Sequence, residues 1–343
     1  MDSPILNTPA LGALLPMVEQ AGEIYHRNFN DEAWFGRCIF LSWYCERGTC
    51  TFCFRNTQKQ MIRKPAMAIR SIPSILSEAM LIKGLGWRLE FLTGGYGILN
   101  DEMLLRTTML VHEMLGEKLW INLGEISTDM LEEFRPYVEG IVSSIETVEP
   151  RLHKKVCPDK PIKPYVDMMV KARKLGFKLS IAIIIGLGEK KKDLSLLSEF
   201  IEKNKIERIT VYALRPVKGT PFTKGPDPLD MVWWIANIRI AFPKIEIIAG
   251  TAVYRIPEIS LLLRAGANAI TKLPVVDIFN TDLGKMVEEE VRKAGRRFVS
   301  KFSSKDVRKE ADWDKMMDIP GLTEKERKNL EIVMGKYLRK ISK

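Results

Sequence analysis

Histidine is scarce in this chain, with three residues in 343, and only five cysteines occur. None of the histidines His26, His112 and His153 lies within 15 positions of the cysteine loop Cys45–Cys53, so they offer it no neighbouring metal ligand. Five cysteines, three of them within nine positions, exclude a disulfide framework. Long hydrophobic runs are also missing. The longest, Leu179 to Gly188, is about half of a membrane span. The first residues, Met1-Asp2-Ser3-Pro4, show no basic segment leading into an apolar one, so no secretory signal is visible. These absences predict a soluble, cytoplasmic protein in a reducing compartment, with no membrane partner.

What is present is a large apolar fraction, 46%, enough for one sizeable core, and a net charge of +10. The basic excess gathers between Arg151 and Arg208 and near the C-terminus. Lysines interleaved with acids, as in Thr323-Glu324-Lys325-Glu326-Arg327-Lys328, make a solvated helix face. The basic stretches carry no interleaved aromatics and no recognition motif, so nucleic acid is not the expected partner.

The run Ser42-Trp43-Tyr44-Cys45-Glu46-Arg47-Gly48-Thr49-Cys50-Thr51-Phe52-Cys53 follows a short apolar segment. Three thiolates on one tight loop suit three irons of a cubane [4Fe–4S] cluster, and with no fourth cysteine nearby the last iron is left an open position. A structural zinc site would need a fourth ligand, and Cys38, before the expected strand, points elsewhere by alternation. A plant-type [2Fe–2S] centre uses this four-then-two spacing plus a later cysteine. Here that would be Cys157, more than a hundred residues on and read as an ordinary loop thiol. A non-catalytic iron–sulfur or zinc module is the rival from another functional class.

Eight β-branched apolar runs recur: Cys38–Tyr44, Arg88–Leu92, Leu119–Leu123, Gly140–Ile145, Leu179–Ile185, Ile209–Ala213, Ile245–Ala249 and Asn268–Thr271. Between them lie helical patterns at Ser74–Gly84, Glu102–Leu115, Tyr165–Leu175, Leu194–Asn204, Leu229–Ala241 and Pro257–Arg264. Gly116, Gly176 and Gly266 stand where helix C-caps belong. The alternation predicts an α/β fold, a complete (β/α)8 TIM barrel, over residues 36–280. A helical extension is expected over residues 1–35 and a charged helical appendage over 281–343. Pro320-Gly321-Leu322 is read as the approach to a helix capped by Thr323 and Glu326, rather than as a nucleic-acid hairpin element.

In such a barrel function sits at the C-terminal strand ends. The cysteine loop, Gly94-Gly95-Tyr96-Gly97, Glu146-Thr147, Gly186-Leu187-Gly188-Glu189 and Arg215-Pro216 all fall there. Glycines admit a ligand close to bare backbone, Glu146 offers a carboxylate to an ammonium, and Phe52 offers a ring to a purine. The pocket described is one for a zwitterion and a nucleoside beside an iron–sulfur cluster. The Gly186–Lys191 segment lacks the third glycine of a dinucleotide fingerprint and the Gly-Lys-Ser/Thr ending of a P-loop.

Over roughly residues 35–280 the chain resembles the radical S-adenosylmethionine enzymes, in the branch of biotin synthase, the maturase HydE and methylornithine synthase. The resemblance is carried by the cysteine loop, Thr93-Gly94-Gly95, Ile145-Glu146-Thr147 with Leu152-His153-Lys154, and Ile184-Ile185-Gly186-Leu187-Gly188-Glu189. It extends through Leu214-Arg215-Pro216-Val217-Lys218-Gly219-Thr220-Pro221 and Ala265-Gly266-Ala267-Asn268. It implies that Cys45, Cys50 and Cys53 bind a [4Fe–4S] cluster whose open iron chelates S-adenosylmethionine. Reductive cleavage would then give methionine and a 5′-deoxyadenosyl radical that abstracts a substrate hydrogen. By the same resemblance Thr93, Gly94, Gly95 and Glu146 serve the methionine amino group, and Phe52, Gly186, Gly188 and Glu189 the adenosine. It implies a small-molecule substrate and an external one-electron donor of ferredoxin or flavodoxin type. No catalytic side chain is assigned beyond the cluster ligands.

Three departures stand out. Four residues, not three, separate Cys45 from Cys50; Tyr96 replaces an acid after the two glycines; and Tyr165 stands where relatives carry the base that holds the ligand carboxylate. Arg215 is the expected substitute. The stretched spacing resembles the Hmd co-occurring radical proteins encoded beside [Fe]-hydrogenase in methanogens, implying a role in building the guanylylpyridinol cofactor. Carbon-skeleton rearrangement and tRNA modification are the alternative activities. Sulfur insertion is not expected, because only Cys38 and Cys157 remain for a second cluster.

Overall fold

The computed structural model describes residues 9–97 and 99–343. Its frame is a barrel of parallel strands: β1 (Glu32–Phe40), β2 (Arg88–Thr93), β3 (Leu119–Asn122), β4 (Val138–Glu146), β5 (Lys178–Ile185), β6 (Arg208–Ala213), β7 (Glu246–Gly250) and β8 (Ala269–Thr271). Each pairs with the next, and β1 pairs with both β2 and β8, which closes the ring. Closure removes exposed edges, and alternation along each strand sends one set of side chains to the surrounding helices and the other to the lumen. Phe35, Ile39, Ile121, Ile141, Ile181, Ile209, Ile247 and Ile270 form the outer set, each completely buried. The expected (β/α)8 architecture is the one observed.

The bottom of the lumen is plugged. The Arg208 guanidinium lies 4.0 Å from the centre of the Trp120 ring, with Trp34 on its other flank, and pairs with Glu246. Gly140 makes room for this plug, since a Cβ there would sit 2.4 Å from the Trp120 ring.

The first strand differs from expectation. It runs Glu32–Phe40 rather than Cys38–Tyr44, and Leu41 to Trp43 already leave the ladder toward the cysteine loop. Arg37 hid it. A charged residue on the helix-facing side argues against a strand, yet here its guanidinium reaches Glu78 at 2.7 Å, and Glu78 also takes Arg70 at 2.7 Å. Cys38 therefore lies within β1 and packs in the lumen with Phe91, Trp120 and Val142.

Outside the barrel, a helix at Pro9–Asn28 packs on the helix Pro228–Ala241, and one at Glu324–Ile341 packs on Ile72–Gly84. The latter carries the expected capping box between Thr323 and Glu326. A short strand β9 (Arg297–Phe298) pairs with the start of β1. Gly116 and Gly176 adopt the left-handed conformation expected of C-caps, with φ of 76° and 88°. No helix among the described residues is long and apolar enough to cross a membrane. Glu78→Ala would leave Arg37 and Arg70 without their shared carboxylate, and is predicted to lower stability by about 3 kcal/mol. A thermal or denaturant midpoint equal to that of the wild type would contradict the pairing.

Candidate functional site

The cysteine loop is held by its own backbone, by the end of β2 and by the end of the helix Pro150–Val156. Cys53 N–H donates to the Cys50 carbonyl at 3.1 Å, and Thr51 N–H donates to the Val156 carbonyl at 2.9 Å. From the β2 side, Glu46 N–H donates to the Tyr96 carbonyl at 3.0 Å, and Tyr96 N–H donates to Cys45 Sγ at 3.4 Å. The contact is so close that a Cβ on Gly95 would lie 1.4 Å from the Tyr44 carbonyl oxygen. Gly95 therefore serves the packing of two protein loops. Gly94 is more open, its nearest such contact being 3.7 Å from Ser42 N. Thr93, at the end of β2, is buried and its carbonyl accepts Leu41 N–H.

All three departures from the family pattern meet at one guanidinium. Arg47, within the widened loop, lies 4.0 Å from the centre of the Tyr96 ring, pairs with Glu125 at 2.8 Å and donates to the Tyr165 hydroxyl at 3.4 Å. The inserted length, the aromatic replacing an acid and the aromatic replacing a base are thus one compensated set. Such a stacked, bidentate-capable cation is not interchangeable with lysine.

Glu146 closes β4 in the left-handed conformation, φ 64°, rare for a non-glycine residue and concentrated at functional sites. A register shift between Ser144 and Glu146 accompanies it, so a bulge aims the side chain. Its carboxylate pairs at 2.6 Å with Lys160, and both side chains are nearly buried, at 11% and 12% exposure. Burial works against the Lys160 charge, but Glu146, with Tyr165 behind it, outweighs that and raises the lysine's pKa. Sequence reading missed Lys160. It follows Cys157-Pro158-Asp159 with no motif of its own, and only folding brings it to Glu146 and over the Tyr165 ring, 5.4 Å away. Arg215, the residue expected in this place, is exposed beyond β6.

Cys157 is a free, buried cysteine. Although distant in sequence, its thiol hydrogen-bonds Cys50, which lowers the Cys50 pKa and, with burial, raises that of Cys157. Burial raises the Cys53 thiol as well, opposed by a backbone hydrogen bond at Arg55 and the Arg55 charge.

Phe52 packs with Leu187, Leu214, Val156 and Cys157. The same apolar cluster contains Leu187 of the Gly186–Glu189 turn. Within that turn the Glu189 carboxylate accepts the amides of Gly186, Leu187 and Gly188 at 2.7, 3.0 and 3.1 Å. Those amides are thus not free to cradle phosphate, and Glu189 shapes the turn rather than standing open to a ligand. Gly186 and Gly188 hold φ of 107° and 123°, which side chains rarely adopt.

The donor set fits an iron–sulfur cube. Three cysteines share one loop, an amide points at Cys45 Sγ, and the Arg55 charge acts on Cys53 and Cys45. These are the hydrogen bonds and charges that tune thiolate ligands. Among the described residues no three His, Cys, Asp or Glu side chains converge on a single-ion site, and a cube asks for none, since each thiolate takes its own iron.

Comparison with known proteins accords with this geometry. The radical SAM superfamily matches residues 41–201, and the biotin and thiamin synthesis associated domain matches residues 210–295. An uncharacterized protein of Methanocaldococcus jannaschii is 36% identical over 86% of this chain and 82% of its own length. The 3-methylornithine synthase of Methanosarcina barkeri is 23% identical over 78% and 77%, and a biotin synthase of Methylorubrum extorquens 25% over 75% and 80%. Among solved structures, methylornithine synthase superposes with a TM-score of 0.70 at 20% identity, covering 92% of this chain and 93% of that one. The [FeFe]-hydrogenase maturase HydG gives 0.68 at 15%, covering 98% and 84%. A strand-one cysteine loop facing a glycine-rich second strand end, on a closed parallel barrel, defines a cluster-bearing barrel enzyme. The chain belongs to the radical SAM superfamily, and its cofactors are a [4Fe–4S] cluster and S-adenosylmethionine.

If Cys157 is only a hydrogen-bond partner, Cys157→Ala will retain the wild-type count of four irons per chain after anaerobic reconstitution, while Cys50→Ala will lose most of it. Iron and sulfide assays read the difference, and equal loss in both variants would make Cys157 a ligand.

Proposed function

We propose that the rim binds S-adenosylmethionine with its methionine part between the cysteine loop and the Glu146–Lys160 pair, and its adenosine between Phe52 and the Gly186–Glu189 turn. When bound, the cluster supplies the electron that cleaves S-adenosylmethionine to methionine and a hydrogen-abstracting 5′-deoxyadenosyl radical. Cys45, Cys50 and Cys53 would hold the cluster. The observation that carries the reading is the buried ion pair beside Cys50. An α-ammonium and α-carboxylate match Glu146 and Lys160 head to tail, so a zwitterion adds a second ion pair without leaving a charge uncompensated. Lys160 thereby takes the carboxylate in place of the base absent at position 165, and Arg215 is not needed for it. Thr93 and Gly94 contribute backbone at the end of β2, and the apolar contact of Phe52 with Leu187 forms a wall for the purine.

As to substrate, the stretched cysteine spacing supports a role in biosynthesis of the guanylylpyridinol cofactor of [Fe]-hydrogenase, as for the Hmd co-occurring radical proteins the chain resembles. The likeness to 3-methylornithine synthase along most of both chains favours carbon-skeleton rearrangement as the second reading. Electrons would come from a ferredoxin or flavodoxin, in the cytoplasm. Reconstituted enzyme with dithionite and S-adenosylmethionine is predicted to release 5′-deoxyadenosine. Lys160→Met is predicted to raise the KM for S-adenosylmethionine tenfold or more while the cluster iron stays bound. No 5′-deoxyadenosine from the wild type, or an unchanged KM in the variant, would contradict these roles. Deletion of the gene in its host should abolish guanylylpyridinol in extracts under the first substrate reading, and leave it intact under the second.

A further inference from the structure

Among the described residues, the acids Glu90, Glu246 and Glu146 along the lumen are each already satisfied. Glu90 is completely buried, and its carboxylate accepts Cys38 Sγ–H at 2.8 Å, the Thr210 hydroxyl at 3.3 Å, and the hydroxyls of Tyr212 and Thr271. Four donors fill the positions a carboxylate has. Glu246 is committed to Arg208 at the floor and Glu146 to Lys160 at the rim. With Glu146 assigned to the α-ammonium of S-adenosylmethionine, none of these three acids is left for a cationic substrate.

The lumen does contain a cation without a counter-charge. Lys272 directly follows β8, and its ammonium lies 4.9 Å from the centre of the Tyr212 ring and 5.4 Å from that of Phe40. Tyr212 belongs to β6 and Phe40 to β1, on opposite sides of β8 in the sheet order. Only a side chain reaching inward across the mouth touches both. Among the described residues no carboxylate lies within ion-pair distance of it, and it is exposed toward the opening. Its backbone adopts φ of 70°, close to the 64° of Glu146. Two charged residues at strand ends thus hold the same rare conformation. One of them serves the cofactor rim, and the other stands over the space beside it.

We propose that Lys272 is the anion-binding residue of a substrate site at the barrel mouth, and that the molecule acted upon carries a carboxylate. The Arg55 guanidinium lies 5.1 Å from the centre of the same Phe40 ring but donates to the Ser42 carbonyl at 3.1 Å, so the Lys272 ammonium is left to balance one negative charge, which suits a carboxylate better than a phosphate dianion. The faces of Phe40 and Tyr212 provide the apolar wall for the rest of the molecule. The site rests on the radical-enzyme reading only for the reaction that the bound carboxylate undergoes.

Benzoate, benzamide and benzylamine share a ring and differ in charge, so saturation-transfer NMR against reconstituted enzyme holding S-adenosylmethionine tests the site. Benzoate is expected to bind, and benzamide and benzylamine at least tenfold more weakly. Lys272→Met is expected to weaken benzoate tenfold or more, and Lys272→Arg to retain it within about threefold, in line with loss or retention of a charge-assisted hydrogen bond. Lys272→Gln serves if the Met variant does not fold, judged by its melting curve and iron content. Absence of benzoate binding, equal binding in the uncharged variants, or a preference for benzylamine would overturn the proposal. The radical-enzyme reading is judged separately by 5′-deoxyadenosine from the wild type. Its failure there with Lys272-dependent benzoate binding would leave the anion site standing.

Discussion

Two loops meet at the top of the barrel with no space for a side chain between them. The backbone of Gly95 lies against the Tyr44 carbonyl, where a Cβ would fall 1.4 Å from the oxygen, and the amide next to it reaches Cys45 Sγ. That close approach sets where the first thiolate stands relative to the second strand. The rest of the site is arranged around it. Thr51 ties the other end of the cysteine loop to Val156, which brings Cys157 onto Cys50 and Lys160 to Glu146. Function on this rim is therefore a property of loops that a rigid closed sheet holds in register, as barrel enzymes generally arrange it.

Much of the charge on the rim is organised as closed pairs. Arg47 with Glu125, Lys160 with Glu146, and Arg37 and Arg70 with Glu78 are each sheltered from water. Such pairs contribute little net stability but are costly to break, so they act chiefly to fix geometry. Among the described residues Lys272 has no carboxylate partner, and on the proposal above it gives the mouth its preference for an anion.

Much of this was legible in the chain itself. Apolar runs with helical patterns and glycine caps between them announced the barrel, because burial on both faces of a parallel sheet forces continuous β-branched segments. The cysteine loop, Gly94-Gly95, Glu146 and the Gly186–Glu189 turn were found because residue type and strand-end position coincide. What escaped was whatever depends on long-range pairing. Arg37 disguised the first strand because its partner Glu78 lies forty-one residues on. Glu90 was passed over because a bulge on β2, where Arg37 pairs with Leu89 and Cys38 with Phe91, turns it into the lumen against simple alternation. Lys160 and Cys157 have no local signature. The three departures from the family pattern looked independent in sequence, and only the position of Arg47 joins them.

The central claim is that three thiolates leave one iron of the cube free for the amino and carboxylate groups of S-adenosylmethionine. Electron paramagnetic resonance of the reduced enzyme, with and without S-adenosylmethionine labelled with nitrogen-15 at its amino group, tests this most directly. The account predicts a changed cluster spectrum with hyperfine coupling to the labelled nitrogen. A spectrum unaltered by the nucleotide, or sulfurs found around zinc in anaerobically prepared protein, would contradict it.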